Sequence, residues 1–205
     1  MEKIKYKLRK HFYASWRIYL LVGLSFLLGL CFGFWGMSAL GEKQTVSLNK
    51  LFEEGVKYLE VNSNFTTLAR QAVVRNLINW SKFFLLGLTI IGLPFILIFI
   101  FTRGFVLGFT LKFLLQEQAW RGGVVALLAV LPPNLLSLPA YFCGAVVAVN
   151  FSIYLSKGTA STKMSQCLGE YLFIMFCLMG LLLGSALIEG YFSPIFIKLF
   201  PRFKG

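Results

Sequence analysis

The chain reads as an all-α, polytopic integral membrane bundle with about five spans, one of them proline-broken, and an extracytoplasmic helical hairpin. Three observations carry that reading. Five runs of nearly uninterrupted apolar residues, 19–40, 83–102, 104–115, 122–155 and 171–188, hold most of the 205 residues. Composition agrees, being 58% hydrophobic, 17% aromatic and only 14% charged, where soluble domains carry about 25% charged residues. The runs also lack the polar face that a helix keeps in water. A helix crosses the ~30 Å hydrocarbon layer in about 20 residues. Residues 1–205 form one membrane domain on this reading, with 41–82 as an extracytoplasmic helical loop inside it.

The first element is a signal anchor. Lys3, Lys5, Lys7, Arg9, Lys10 and Arg17 precede or open the run 19–40, and juxtamembrane cations mark the cytoplasmic side and bind anionic headgroups. That placement accounts for the net charge of +12 without a nucleic-acid partner; membrane lipid is partner enough. The run exceeds the ~7–15 residues of a cleavable h-region, and Met37-Ser38-Ala39 lacks a small residue at its first position. Tyr13, Trp16, Tyr19 and Trp35 frame the span, and Trp80, Trp120, Tyr154, Tyr171 and Tyr191 mark later boundaries, as an interfacial aromatic belt does.

Residues 41–82 are the one sizeable polar region. Leu48, Leu51, Phe52, Val56 and Leu59 recur at helical spacing, as do Phe65, Leu68, Ala69, Val73, Leu77 and Ile78. Ser47 is the expected cap of the first helix, and Asn62-Ser63-Asn64 the break and second cap. The two apolar stripes then pack on each other, on the membrane surface or on a partner.

The runs 104–115 and 122–155 are not ordinary spans. The former is short and carries Lys112, so it dips into the bilayer or crosses with its lysine snorkelling. The latter is ~50 Å long at helical rise and contains Pro132, Pro133, Asn134 and Pro139. Proline deletes a backbone donor, and in lipid the freed carbonyls need other partners, so this segment belongs inside the bundle. Five crossings leave the C-terminus outside and six bring it inside; the sequence leaves both open.

Catalysis has little to stand on. The chain contains no aspartate, no HExxH and one histidine, His11, beside the basic N-terminus, so paired-aspartate, zinc-protease and Ser-His chemistries lack their residues. Cys31, Cys143, Cys167 and Cys177 show no CxxC spacing. No enzyme activity, cofactor or metal is expected. Gly29/Gly33, Gly104/Gly108 and Gly180/Gly184 form GxxxG pairs, which let helices approach closely; intramolecular packing is favoured over a homo-oligomer face. Glu189, followed by Gly190, ends the last run. An ionisable group near membrane depth is functional by default, or else an interfacial carboxylate in water, and Lys112 is one candidate partner for it.

Four segments together resemble the stage II sporulation protein M family of bacterial membrane proteins. They are IIGLPFILIF at 90–99, with Pro94; RGFVLGFTLKFL at 103–114; LPPNLLSLPA at 131–140; and SALIEGYFSP at 185–194. The basic N-terminus, first span and outer loop share the layout, so the resemblance covers nearly the whole chain. A related superfamily element, Pro-His-Gly…Glu, reads Pro132-Pro133-Asn134…Ser137 here, which removes the groups a proton-linked role would use. The resemblance implies a scaffold of endospore engulfment. It would recruit two peptidoglycan hydrolases, an amidase/endopeptidase and a lytic transglycosylase, to the sporulation septum for wall remodelling. Leu48, Leu51, Phe52, Val56 and Leu59 are then the partner-facing candidates. The rival reading is a permease-like subunit or small transporter using the proline-broken helix and Asn134.

Overall fold

The computed structural model describes the backbone of residues 2–61, 65–117, 120–156 and 161–199, with side chains over 16–55, 57, 66–116, 134–156, 164–165 and 167–190. Among the described residues six helices follow in order: α1 (Glu2–Ser38), α2 (Glu42–Val61), α3 (Phe65–Gly87), α4 (Gly92–Glu117), α5 (Trp120–Ser156) and α6 (Ser161–Leu199). Stretches long and apolar enough to cross a membrane are Trp16–Ser38, Gly92–Gln116, Asn134–Ser156 and Cys167–Gly190. The chain is therefore a helical membrane bundle. On α1, Trp16 and Trp35 are both exposed and stand ~29 Å apart at helical rise, the depth of a hydrocarbon layer.

Glycine sets the closest contact. A Cβ built on Gly29 would fall on the Phe101 carbonyl, and one on Gly33 on that of Phe105; those on Gly104 and Gly108 would fall on the carbonyls of Phe26 and Leu30. Two of the three GxxxG pairs thus face each other within the chain, and Ser25 Oγ adds a 2.9 Å bond to the Leu97 carbonyl. The matched numbering, 25 with 97, 29 with 101 and 33 with 105, makes α1 and α4 parallel. Gly180 and Gly184 meet open space.

The other directions follow from side-chain registers. We term the side where α1 ends, at Ser38, distal. Along α3 and α6, Asn76 bonds the Leu182 carbonyl, Trp80 that of Met175, and Tyr171 that of Phe84, so these helices are antiparallel. Along α5, Tyr141 meets Asn76 and Ser152 meets the carbonyls of Thr89 and Ile90, so α5 runs with α3. The order is α1 up, α3 down, α4 up, α5 down, α6 up. Helix α3 thus supplies a fifth pass at bundle depth although it is too polar to read as a span. Its core-side residues Ala69, Ala72, Asn76, Asn79 and Phe83 are buried.

Several expectations change. The boundary placed at 102–104 actually lies at the turn 88–91, and α4 fuses the runs 83–102 and 104–115 from Gly92 onward. Arg103 does not break the helix because its guanidinium lies over the Tyr141 and Phe99 rings, at 4.7 and 5.4 Å. Gly92 is required at the turn, since a Cβ there would strike the Leu86 carbonyl. Pro94, exposed, sits in the first turn of α4, where no intrahelical donor is lost. The turn's carbonyls at Thr89 and Ile90 accept from Ser152 Oγ at 2.8 and 3.1 Å, which satisfies backbone that lipid cannot.

Helix α5 is continuous from Trp120 to Ser156 through Pro132, Pro133 and Pro139, so the expected break is absent. Proline's fixed φ suits a helix, and its cost is limited to a missing donor and a local clash. The side chains of Pro132 and Pro133 lie outside the described residues; Pro139 is exposed and Ser137, two positions before it, is buried. Ser47 is no cap: its Oγ donates to the Lys43 carbonyl. The helix opens earlier, at Gly41, whose N–H donates to Gln44 Oε1 while its carbonyl accepts from the Gln44 and Thr45 amides. The Gln44 side chain thus supplies the N3 half of a capping box, and Gly41, without a side chain, leaves the other half unmade. Asn62, Ser63 and Asn64 lie outside the described residues. Trp80 is mid-bundle, not interfacial: its Nε1–H donates to the Met175 carbonyl at 2.9 Å, and its ring stacks on Phe84. Beyond it Phe84, Tyr171 and Phe151 continue the stack. Val22, Ile96, Ile100, Val149 and Met175 fill the rest of the core.

Candidate functional site

Two regions concentrate features that simple membrane insertion does not need. The first is the distal platform. Met37 from α1 and Phe113 and Leu114 from α4 form a small buried cluster, and Leu40, Leu48, Phe52 and Phe109 pack against it. Phe52 meets the edge of Phe113 at 5.4 Å between ring centroids. Helix α2 is thereby laid across the distal end of α4, and its backbone also approaches α6. Among the described residues, the α2 stripe packs through Leu48 and Phe52 on that cluster, while α3 turns Ala69, Ala72, Asn76 and Asn79 into the bundle.

That arrangement divides the five partner-facing candidates. Leu48 and Phe52 are half-buried against the cluster, whereas Leu51 is 65% exposed and Val46 55%. The side chains of Val56 and Leu59 lie outside the described residues. Around Leu51 and Val46 stand exposed Lys43, Lys50, Glu53, Glu54 and Lys57. The outward face of α2 is thus mixed apolar and charged. Lys112, one turn from the end of α4, lies over the Phe34 ring at 4.8 Å, and does not reach Glu189.

The second region is a polar network at the level of the α1–α4 contact. Arg103 Nη2 donates to the Tyr141 hydroxyl at 3.4 Å, that hydroxyl donates to Asn76 Oδ1 at 3.1 Å, and Asn76 Nδ2 donates to the Leu182 carbonyl at 2.9 Å. Four helices, α3 to α6, are tied in one chain of donors and acceptors. Buried polar groups are costly in hydrocarbon unless satisfied, and here each finds a partner. Asn79 is also buried beside Tyr141, and Ser185 is buried on α6. Beside Asn76 on α3, Arg75 pairs with Glu189. Gly190 makes that pairing accessible: a Cβ there would strike Ala69 of α3, so α6 and α3 close at the residue beside the carboxylate.

Sequence reasoning found Glu189 and Gly190 but assigned the carboxylate to Lys112 or to water. It missed Arg75, Asn76, Asn79, Arg103 and Tyr141. A signal existed: 69, 72, 76, 79 and 83 form a helical stripe of small, amide and aromatic residues, and a cation inside an apolar run needs partners. Asn134, the first residue of α5 whose side chain is described, is half-buried and engaged with a partner.

The four segments that carried the resemblance now have structural duties. Residues 90–99 make the turn and open α4, 103–114 supply Arg103 and the close glycines, 131–140 lead α5 toward Tyr141, and 185–194 bring Glu189 and Gly190 to α3. A family model described as stage II sporulation protein M matches residues 22–194. No curated protein and no solved structure matches the chain.

Proposed function

The chain belongs to the stage II sporulation protein M family, and from that premise we propose that it is a non-catalytic membrane scaffold that holds peptidoglycan hydrolases at the sporulation septum. The partners are an amidase/endopeptidase and a lytic transglycosylase, and the N-terminus lies in the cytoplasm, so that the distal side faces the septal wall. One observation supports the reading above others: α2 is anchored across the distal end by Phe52 while Leu51 and Val46 face outward. An anchored, exposed helix face offers a partner a rigid surface at little ordering cost. Confining a hydrolase to the membrane plane raises its effective concentration at the wall without new chemistry.

The transporter reading drew on a discontinuous helix; α5 is continuous, and no other feature favours it. The scaffold is tested by Leu51→Glu combined with Val46→Glu in sporulating cells. Neither side chain touches the bundle core, so the protein should accumulate in the membrane at its usual level while the hydrolases no longer co-purify. Undiminished co-purification from the double variant would sink the assignment to this face. Phe52 is the wrong site for this test, because replacing it would release α2 altogether.

A further inference from the structure

The turn 88–91 between α3 and α4 points to the proximal side, opposite the distal one, and stops short of its neighbours there. The register that sets 25 beside 97, 29 beside 101 and 33 beside 105 places Gly92, just after the turn, level with Leu20 of α1, four residues inside Trp16. Across the bundle Ser152 reaches the Thr89 and Ile90 carbonyls four residues before α5 ends at Ser156. At helical rise each offset is ~6 Å. Trp16 is exposed, a ring of the kind that sits at headgroup level, and Lys157 follows Ser156 in sequence. Both neighbours thus carry on to interfacial residues beyond the level at which α3 turns back.

Nothing in the tip asks for water. Residues 83–102 carry no charge, and their two hydroxyl side chains, Thr89 and Thr102, donate within the segment to the Leu86 and Ile98 carbonyls, each at 2.8 Å. A loop emerging on the cytoplasmic side ordinarily carries Lys or Arg. Here Ile90 and Ile91 are 63% and 70% exposed, with exposed Leu88 and Phe95 beside them. An apolar tip suits a protein partner as well as lipid; the backbone decides between them.

A helix that ends in water leaves its last carbonyls and its successor's first amides to the solvent. In this turn the protein supplies the partners itself. The Phe84 carbonyl accepts from the Tyr171 hydroxyl at 2.8 Å. That of Leu85 accepts from the Leu88 amide, and that of Leu86 from both the amide and the hydroxyl of Thr89. The carbonyls of Thr89 and Ile90 are taken by Ser152 Oγ. At the start of α4 the Gly92 amide donates back to the Thr89 carbonyl, and Pro94 has no amide to satisfy. Gly87 admits the tyrosine, since a Cβ there would strike its hydroxyl. Hydroxyls drawn from two other helices to serve a turn's carbonyls are what hydrocarbon requires and water makes unnecessary.

We propose that α3 and α4 form a hairpin that turns inside the proximal leaflet, its tip 88–91 packed among acyl chains and its backbone sealed by Ser152 and Tyr171. The proximal surface is then built from the segment before Trp16 and the α5–α6 connection, and no part of 83–102 meets the aqueous phase on that side. The proposal is independent of the wall hydrolases, which are assigned to the opposite side.

The test uses the full chain in proteoliposomes opened by freeze–thaw, so that a charged, membrane-impermeant maleimide reaches both faces; the four native cysteines set the baseline. Ser156→Cys should add a rapidly labelled thiol. Ile90→Cys and Ile91→Cys, made separately so that one misfolded variant does not decide the outcome, should add none until the protein is unfolded in detergent. Ser152→Ala combined with Ile90→Cys strands two carbonyls and should raise labelling at 90 about tenfold, the shift that one unsatisfied buried acceptor predicts. Labelling at 90 and 91 as fast as at 156 overturns the embedded hairpin, and unchanged protection with Ser152→Ala overturns the seal. A photoreactive side chain at position 91 should crosslink phospholipid; capture of a polypeptide there instead would overturn acyl chains as the surroundings of the tip.

Discussion

Replacing Tyr141 by phenylalanine removes one oxygen from the centre of the bundle and leaves the ring. The Arg103 guanidinium keeps its place over that ring at 4.7 Å, so the helices stay assembled and the loss is confined to hydrogen bonding. Two bonds disappear: the donation to Asn76 Oδ1 at 3.1 Å and the acceptance from Arg103 at 3.4 Å. Bonds between membrane helices average ~0.6 kcal/mol, with a maximum near ~1.7, and these lengths place both toward the weak end. The Asn76 oxygen is then left buried without its phenol, a penalty of about 1 kcal/mol at the low end for a stranded acceptor. The sum is about 1–2 kcal/mol of bundle stability. Reversible unfolding by a denaturing detergent in mixed micelles, followed by far-ultraviolet circular dichroism, measures it. Asn76→Ala removes the same acceptor and also the 2.9 Å donation to the Leu182 carbonyl, so it should cost more. The double variant should then fall short of the sum of the singles by more than the ~0.5 kcal/mol that independent sites allow. Wild-type stability in Tyr141→Phe, or strict additivity with Asn76→Ala, would refute the idea that these groups act as one network.

Three further outcomes follow from the packing. Gly33→Leu drives a side chain into the Phe105 carbonyl and should cost ~3 kcal/mol or prevent assembly, whereas Gly184→Leu meets open space and should stay within ~0.5 kcal/mol of wild type in the same titration. Glu189→Gln strands Arg75, but the side chains are 54% and 26% exposed, so the expected loss is about 1 kcal/mol after solvent screening, with partial recovery in an Arg75→Glu, Glu189→Arg exchange. Phe52→Ala gives up part of a half-buried ring, about 2 kcal/mol when a full core phenylalanine is worth ~3–5; limited proteolysis should then cut within α2 sooner while the spans keep their resistance.

Apolar run length was a dependable guide to membrane residence, because solvation of a helix by lipid depends on composition over about 20 residues and not on neighbours. It was a poor guide to where helices stop. Arg103 looked like a boundary, and only the rings of Phe99 and Tyr141, remote in sequence, explain why α4 continues through it. The true boundary, the turn at 88–91, reads as nearly seamless hydrophobic sequence; it turns where Ser152 of α5 takes the loose carbonyls. Proline in α5 misled in the opposite direction, announcing a break that the helix does not have. Apolar periodicity caught only part of the buried face of α3: Ala69 is buried and Leu68, Val73 and Leu77 are half-buried, but Ile78 is exposed and the amides Asn76 and Asn79 are buried.

What residue order settled alone was the lipid-solvated helical class, the family layout and the glycine spacings, all of which depend on local composition or short-range pattern. Tertiary structure decided that Gly29 and Gly33 meet Gly104 and Gly108, that Glu189 belongs to Arg75, and that a helix too polar to be recognised as a span threads the bundle. Those are pairings between distant segments. A charge or amide is tolerable at bilayer depth only through the partner it finds, and that partner's identity is a property of the assembled helices, absent from any single stretch of chain.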